Sequence, residues 1–322
     1  MNTASNEQLV HFLSDMYSVE QQALAQLVSA PGLAGDPAIA ADFQLHHSET
    51  QRHAMLIAER LEAHGERPSY VKDLVMKLGG KGFLLFAKAQ PETPGRLAAH
   101  AYSYEAMEWA GYEMLIRFAT AAGDDKTVKV AKTIRDEERT MMERLESGFD
   151  AAEEASHRDT PRENLPADLR KHIGEVHALE TQGIQLLTKS RKIAGDSGLA
   201  LVCDHNLDDS RNHATILEQR LRNLGGEPSA LKDAALCVGG LNWALFFQAQ
   251  SDTPAKLAAF TYAYEHLKIA GYELLKRTAR RAGDVETEAL CDTLLSEERS
   301  MADRIAATFD SAAGSTLETV QK

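Results

Sequence analysis

Asp136-Glu137-Glu138-Arg139-Thr140-Met141 is the stretch on which the fold of this 322-residue chain turns, because it sets ionisable side chains where a helix should bury apolar ones. Val130, Ile134, Glu137, Met141 and Leu145 step by four and three and so share one helical face. The spacing therefore predicts a buried Glu137. An unpaired carboxylate is costly to bury, so the group must be paired, protonated or bound to a cation. What receives it must come from the rest of the chain.

Three earlier segments carry the same oddity. From Glu7 to Ser29, the residues Leu9, Phe12, Leu13, Met16, Glu20, Ala23 and Leu27 line one helical face that Glu20 interrupts. From Pro37 to His64 the face is Ile39, Phe43, His46, His53, Ile57 and Leu61, with Glu49 beside it. A third long helix starts near Thr93-Pro94, a proline placed where a first turn tolerates it, and presents Leu97, Ala101, Glu105, Glu108, Tyr112 and Leu115. Between the second and third lies a mixed segment from Pro68 to Pro91, with Gly79-Gly80 and Phe83-Leu84-Leu85-Phe86, which reads as a crossover carrying short helices. Helix, short turn, helix, long crossover, helix, short turn, helix is the connectivity of a ferritin-like four-helix bundle. The expected class is all-α.

The chain is this pattern written twice. Shifting it by 160 residues superposes Leu9 on Leu169, His53-Ala54 on His213-Ala214, Gly79-Gly80 on Gly239-Gly240, and Glu137-Glu138-Arg139 on Glu297-Glu298-Arg299. Two tandem bundles are expected, copy 1 over residues 1–150 and copy 2 over 169–322, joined by a polar linker over 151–168 and paired about a pseudo-twofold axis. Composition agrees, with 43% hydrophobic residues for two cores and 26% charged. The formal charge of −13 without a basic cluster disfavours a nucleic-acid partner. No stretch has the apolar length of a membrane span, and the N-terminus lacks a basic segment followed by an apolar run, so a cytoplasmic protein is expected. Cys203, Cys237 and Cys291 lie far apart and encode neither a disulfide framework nor a thiolate metal site.

In a bundle of this kind, inward carboxylates from all four helices meet at mid-height and bind two metal ions. Glu20, Glu49, Glu105 and Glu137 are the candidates, one per helix, and oxygen donors with imidazole suit iron or manganese. The pattern His53-x6-Arg60-Leu61 with Pro68 beyond it, and Asp136-Glu137-Glu138, resemble the corresponding helices of bacterioferritins and rubrerythrins. Each copy more closely resembles the YciE/YciF-type ferritin-like stress proteins of bacteria, through His46-x-x-Glu49-Thr50, Tyr104-Glu105, Tyr112 and Glu137-Glu138-Arg139. The resemblance implies a di-iron or manganese site and a ferroxidase or peroxide-handling role under stress, with Glu49 and Glu137 bridging the metals.

Departures from that pattern shape the expectation. Thr50 stands where the superfamily has a glutamate three before His53, and Thr140 stands where it has a histidine after Glu137, so the site reads as carboxylate-rich and histidine-poor. His46 and Glu108 are the candidate replacements. In copy 2 the equivalent positions hold Glu180, Asp209, His213, Glu265 and Glu297, while His46 has become Asn206 and Glu108 has become Lys268. An ammonium on that face does the local job of a cation, so metal is expected in copy 1 ahead of copy 2. A metal-free helical scaffold protein is the alternative reading.

Overall fold

The computed structural model describes residues 3–67, 93–194, 198–228 and 253–320, and among them every regular element is helical. The chain divides into two compact units, the first ending at Arg158 and the second running from Asp159 to Thr319. The crossover expected from Pro68 to Pro91, its counterpart around Gly239-Gly240 and Cys237 all lie outside the described residues. No described helix is long and apolar enough to cross a membrane.

The first unit is a four-helix bundle with an appended helix. Helices α1 (Thr3–Leu27) and α2 (Pro37–Ala63) form one pair, and α3 (Thr93–Ala122) and α4 (Asp125–Ser147) the other. α1 also packs on α3, and α2 on α4, which closes the ring. The apolar stripe of α1 is buried as its spacing predicts, from Leu9 through Met16 to Leu27, and Glu20 within it is completely covered. α2 starts where it does because Asp36 caps it, accepting from the Ala38 and Ile39 amides at 2.8 and 3.1 Å, with Pro37 in the first turn.

The turn between α3 and α4 shows how the two pairs are locked. Gly123 adopts φ 73°, the left-handed conformation that ends a helix, and the Asp124 amide donates back to the Ala119 carbonyl at 2.9 Å. Asp124 then caps α4 by accepting from the Thr127 amide at 3.1 Å. Its carboxylate also receives Arg60 at 2.9 Å and faces His64 at 2.8 Å, so the end of α2 is pinned to the start of α4. Burial works against the Asp124 charge, but the Thr127, His64 and Arg60 hydrogen bonds outweigh it and hold the carboxyl well below its usual range. A carboxyl depressed in this way contributes stability above its unfolded pKa, and that stability is lost as pH falls through the folded value. Asp124→Ala should therefore cost about 2 kcal/mol near neutral pH, the upper end for a lost cap, and should flatten the acid limb of stability. Urea midpoints measured from pH 7 down to pH 2, through the unfolded carboxyl range, check both; an unchanged acid limb would count against the pinning role.

The second unit repeats the plan. Helices α6 (Leu165–Ala194) and α7 (Gly198–Asn223) pair, as do α8 (Thr253–Ala282) and α9 (Val285–Ala306), with α6 on α8 and α7 on α9. Arg220 reaches Asp284 at 2.6 Å and Thr287 at 2.8 Å, as Arg60 does in the first unit. α10 (Phe309–Val320) closes the chain.

One boundary differs from the sequence reading. The span 151–168 is not a polar linker: α5 (Phe149–His157) occupies most of its first half, and α6 begins at Leu165. Phe149 and Ala152 are buried and α5 packs on α3, while Ser156 accepts the Gly95 amide at 2.8 Å. The acidic pair Glu153-Glu154 obscured a short amphipathic helix whose apolar positions are only three apart.

Candidate metal centre

All four long helices of the first unit send ionisable side chains to mid-height, but α4 does so from a different residue than its spacing suggested. Glu138, not Glu137, is the fully buried carboxylate. From Ile134, steps of three and four reach Glu137 and Glu138 respectively, and both connect onward to Met141. The rest of the helix breaks the tie. Its buried positions are Thr127, Ala131, Ile134, Glu138, Met141, Met142 and Leu145, whereas Val130 is only half-buried. At about 100° per residue, Glu138 lies about 20° from the line joining Thr127 and Leu145, and Glu137 about 80° away on its other side.

Two clusters result, and they share one residue. His46, Glu105, Glu108 and Glu138 each offer a ligand atom within 4.8 Å of the others, and so do Glu20, His53 and Glu138. The two oxygens of Glu138 face opposite ways: Oε1 lies 2.9 Å from His53 Nδ1, and Oε2 lies 3.5 Å from His46 Nε2. His46 Nε2 also lies 2.9 Å from Glu105, and His53 Nδ1 lies 3.7 Å from Glu20. Both imidazoles thus come from α2, seven residues and two turns apart on one face. His46, the candidate replacement for the missing histidine, is buried beside Glu105 and Glu138, whereas Thr140 is exposed. Thr50 spends its hydroxyl on the His46 carbonyl at 2.9 Å and orders the α2 turn instead.

Glu49 and Glu137, the expected bridging pair, sit on the outer side of the histidines. Glu49 lies 3.2 Å from His46 Nδ1 and is reached by Arg144 at 3.4 Å. Glu137 lies 2.6 Å from His53 Nε2, is paired with Arg52, and keeps 26% of its side chain exposed. Each histidine therefore has one nitrogen on the buried carboxylates and one on a half-buried carboxylate held by an arginine. An outer carboxylate of this kind fixes the tautomer and ring orientation of a metal-binding histidine.

The charge balance of the centre asks for cations. Burial, followed by the neighbouring Glu138, Glu20 and Glu105 carboxyls, pushes Glu108 well above the usual carboxylate range. Neither of its oxygens has a hydrogen-bond partner. Burial likewise lifts Glu20 to about 8 and Glu105 to about 7 against the pull of His53 and His46. Glu138 alone is lowered: burial opposes its charge, but the His53 hydrogen bond and the His46 charge prevail. Four buried carboxyls face two imidazoles, and carboxyls in that position are relieved either by a proton or by a metal ion. Tyr112 donates its hydroxyl to Glu20, which fixes that carboxylate from behind.

In the second unit Glu180, His213 and Glu298 form the one equivalent cluster among the described residues. His213 Nδ1 lies 2.8 Å from Glu298, and its Nε2 lies 2.7 Å from Glu297, which is nearly half exposed. Asp209 points outward and meets Arg304 at 3.5 Å, outside the cluster. Glu265 stays inside but is engaged by Asn206 at 2.8 Å and Lys268 at 2.9 Å.

Residues 4–156 and 160–318 each match the profile of one family, described as a domain of unknown function (DUF892). No solved structure matches the chain.

Proposed function

The chain belongs to the DUF892 family of ferritin-like domains, in two tandem copies, and from that premise we propose that copy 1 is a di-metal centre of the YciE/YciF type. It takes iron or manganese and oxidises ferrous iron with oxygen or peroxide, as a bacterial cell under oxidative stress requires. The observation that supports this reading is Glu138, with one oxygen turned toward each of two clusters that share no other residue. Carboxylate oxygens and imidazole nitrogens suit both metals. Ferrous iron is the substrate: two ions held together give up one electron each, and oxygen or peroxide accepts the pair.

The side chains of copy 1 hold that pair in place. Glu138 would hold both ions at a fixed separation, with Glu20 and His53 completing one position and His46, Glu105 and Glu108 the other. Glu105, Glu108 and Glu20 would supply negative charge to the ions once binding displaces their protons. Glu49 and Glu137 aim the two imidazoles inward, and Arg144 and Arg52 hold those outer carboxylates.

The test uses the full chain, stripped of metal and titrated anaerobically with ferrous iron before oxygen or peroxide is admitted. Uptake of two ferrous ions and a ferric absorbance that rises faster than in buffer alone is the expected result. Uptake below one ion per chain, or oxidation no faster than buffer, would overturn the proposal in favour of a metal-free helical scaffold.

A further inference from the structure

Copy 2 contains a buried cation of its own. Lys268 stands at the α8 position equivalent to Glu108 and is 1% exposed. Its Nζ lies 2.8 Å from Glu298 Oε2, 2.9 Å from Glu265 Oε2 and 3.6 Å from Glu180 Oε2, and it donates to Ser210 Oγ at 3.3 Å. One atom thus collects the buried glutamates of three helices. Those glutamates are the counterparts of Glu138, Glu105 and Glu20, three of the four acids from which both clusters of copy 1 are built, and Lys268 itself stands in place of the fourth, Glu108.

The neighbouring changes fit the same replacement. Asn206, in place of His46, donates its side-chain amide to Glu265 Oε1 at 2.8 Å, so a group that cannot carry charge or bind metal through a ring nitrogen now occupies that side of the carboxylate. Ser210, in place of Thr50, turns its oxygen to the ammonium. The arginine that pairs with Glu137 in copy 1, Arg52, has become Asn212, and Glu297 is correspondingly more exposed. Of the two imidazoles only His213 is kept, with Glu298 and Glu297 on its two nitrogens. Tyr272 still donates to Glu180 at 2.7 Å. The packing of the centre is retained while the position of the second cation is filled by a side chain.

We infer that the Lys268 ammonium is the resident cation of copy 2: it pairs with both acids of the one remaining cluster, Glu180 and Glu298, which makes that bundle independent of metal and leaves the chain with redox-metal binding in one half only. This rests on the di-metal reading of copy 1 for its contrast, but the two are separable by experiment. In the full chain, copy 2 keeps its carboxylates as a structural network, closed by a charge that chelation or oxidation cannot remove.

The test is hydrogen exchange of the full chain, metal-stripped and then with Mn²⁺ added, read helix by helix for the wild type, Lys268→Met, and the double variant Asn206→His with Lys268→Glu. In the wild type, Mn²⁺ should leave exchange in α6 to α9 unchanged. In Lys268→Met the metal-free α6 and α9 should exchange at least about tenfold faster, because three buried acids have lost their cation. The double variant restores the donor set of copy 1 and should gain Mn²⁺ protection in the second unit, with added Mn²⁺ counted by native mass. Mn²⁺ protection of α6 to α9 in the wild type, or a Lys268→Met protein as protected as wild type without metal, would overturn the inference. Protection of α1 to α4 in the same samples reports separately on the di-metal reading. If Lys268→Met does not fold, the wild-type and double-variant arms still decide.

Discussion

Glu138→Ala should empty copy 1 of both metal ions, while Glu137→Ala should leave them bound more weakly. Glu138 is the one residue common to the two clusters, and its oxygens are divided between His53 and His46. Removing it takes a ligand from each position at once, so affinity should fall by more than about 100-fold, beyond the cost of losing an outer partner. Of the cluster residues Glu137 meets His53, at its outer nitrogen, while Arg52 holds it from the other side, and its loss should cost about 10- to 100-fold at that position. Glu138→Gln, which keeps the shape, should behave like Glu138→Ala if the carboxylate itself matters. Calorimetric titration with Mn²⁺ checks the series without requiring turnover. Equal losses from the two neighbours, or two full equivalents bound by Glu138→Ala, would mean that the clusters are not the metal positions.

The difference between those neighbours also shows where sequence stops being informative. Helices, short turns and the duplication were legible because they repeat: caps at Asp124 and Asp284, glycines at Gly123 and Gly283, and apolar stripes that recur at the same shift. The burial of Glu20, His46, His53, Glu105 and Glu108 was legible because each interrupts an apolar face whose register is unambiguous. Glu137 against Glu138 was not, since steps of three and four are both helical and a stripe anchored on Val130 selects the wrong one. The fully buried Ala131 and Thr127 would have selected Glu138, but small and polar residues carry little weight in a hydrophobic count. The roles of Glu49 and Asp209 were hidden for a different reason. Whether a carboxylate beside a stripe turns inward depends on the arginine across from it, Arg144 or Arg304, and that pairing spans 95 residues.

The reciprocal exchange, Glu108→Lys with His46→Asn, should make copy 1 metal-independent. In the wild type, Mn²⁺ at about 100 times its dissociation constant should stabilise copy 1 by about 2.7 kcal/mol for each position it fills, through linkage. In the double variant that increment should vanish, because the ammonium takes the second position and the introduced side-chain amide cannot ligate as the His46 imidazole would. The metal-free stability is the sharper measurement. A lysine forced into a core without a fitting partner leaves an uncompensated buried charge and costs about 3 to 5 kcal/mol. Here Glu20, Glu105 and Glu138 are the counterparts of the three acids that surround Lys268 in copy 2. The exchange also removes Glu108, whose oxygens have no hydrogen-bond partner and whose nearest charged company is other carboxyls. Metal-free copy 1 should therefore be at least as stable in the variant as in the wild type, although a lysine has entered its centre. Hydrogen exchange in α1 to α4, with chelator and with Mn²⁺, measures both quantities in the full chain. A metal-free variant destabilised by several kcal/mol would show that more than the ammonium distinguishes the two copies, and retention of the Mn²⁺ increment would place the metal away from Glu108.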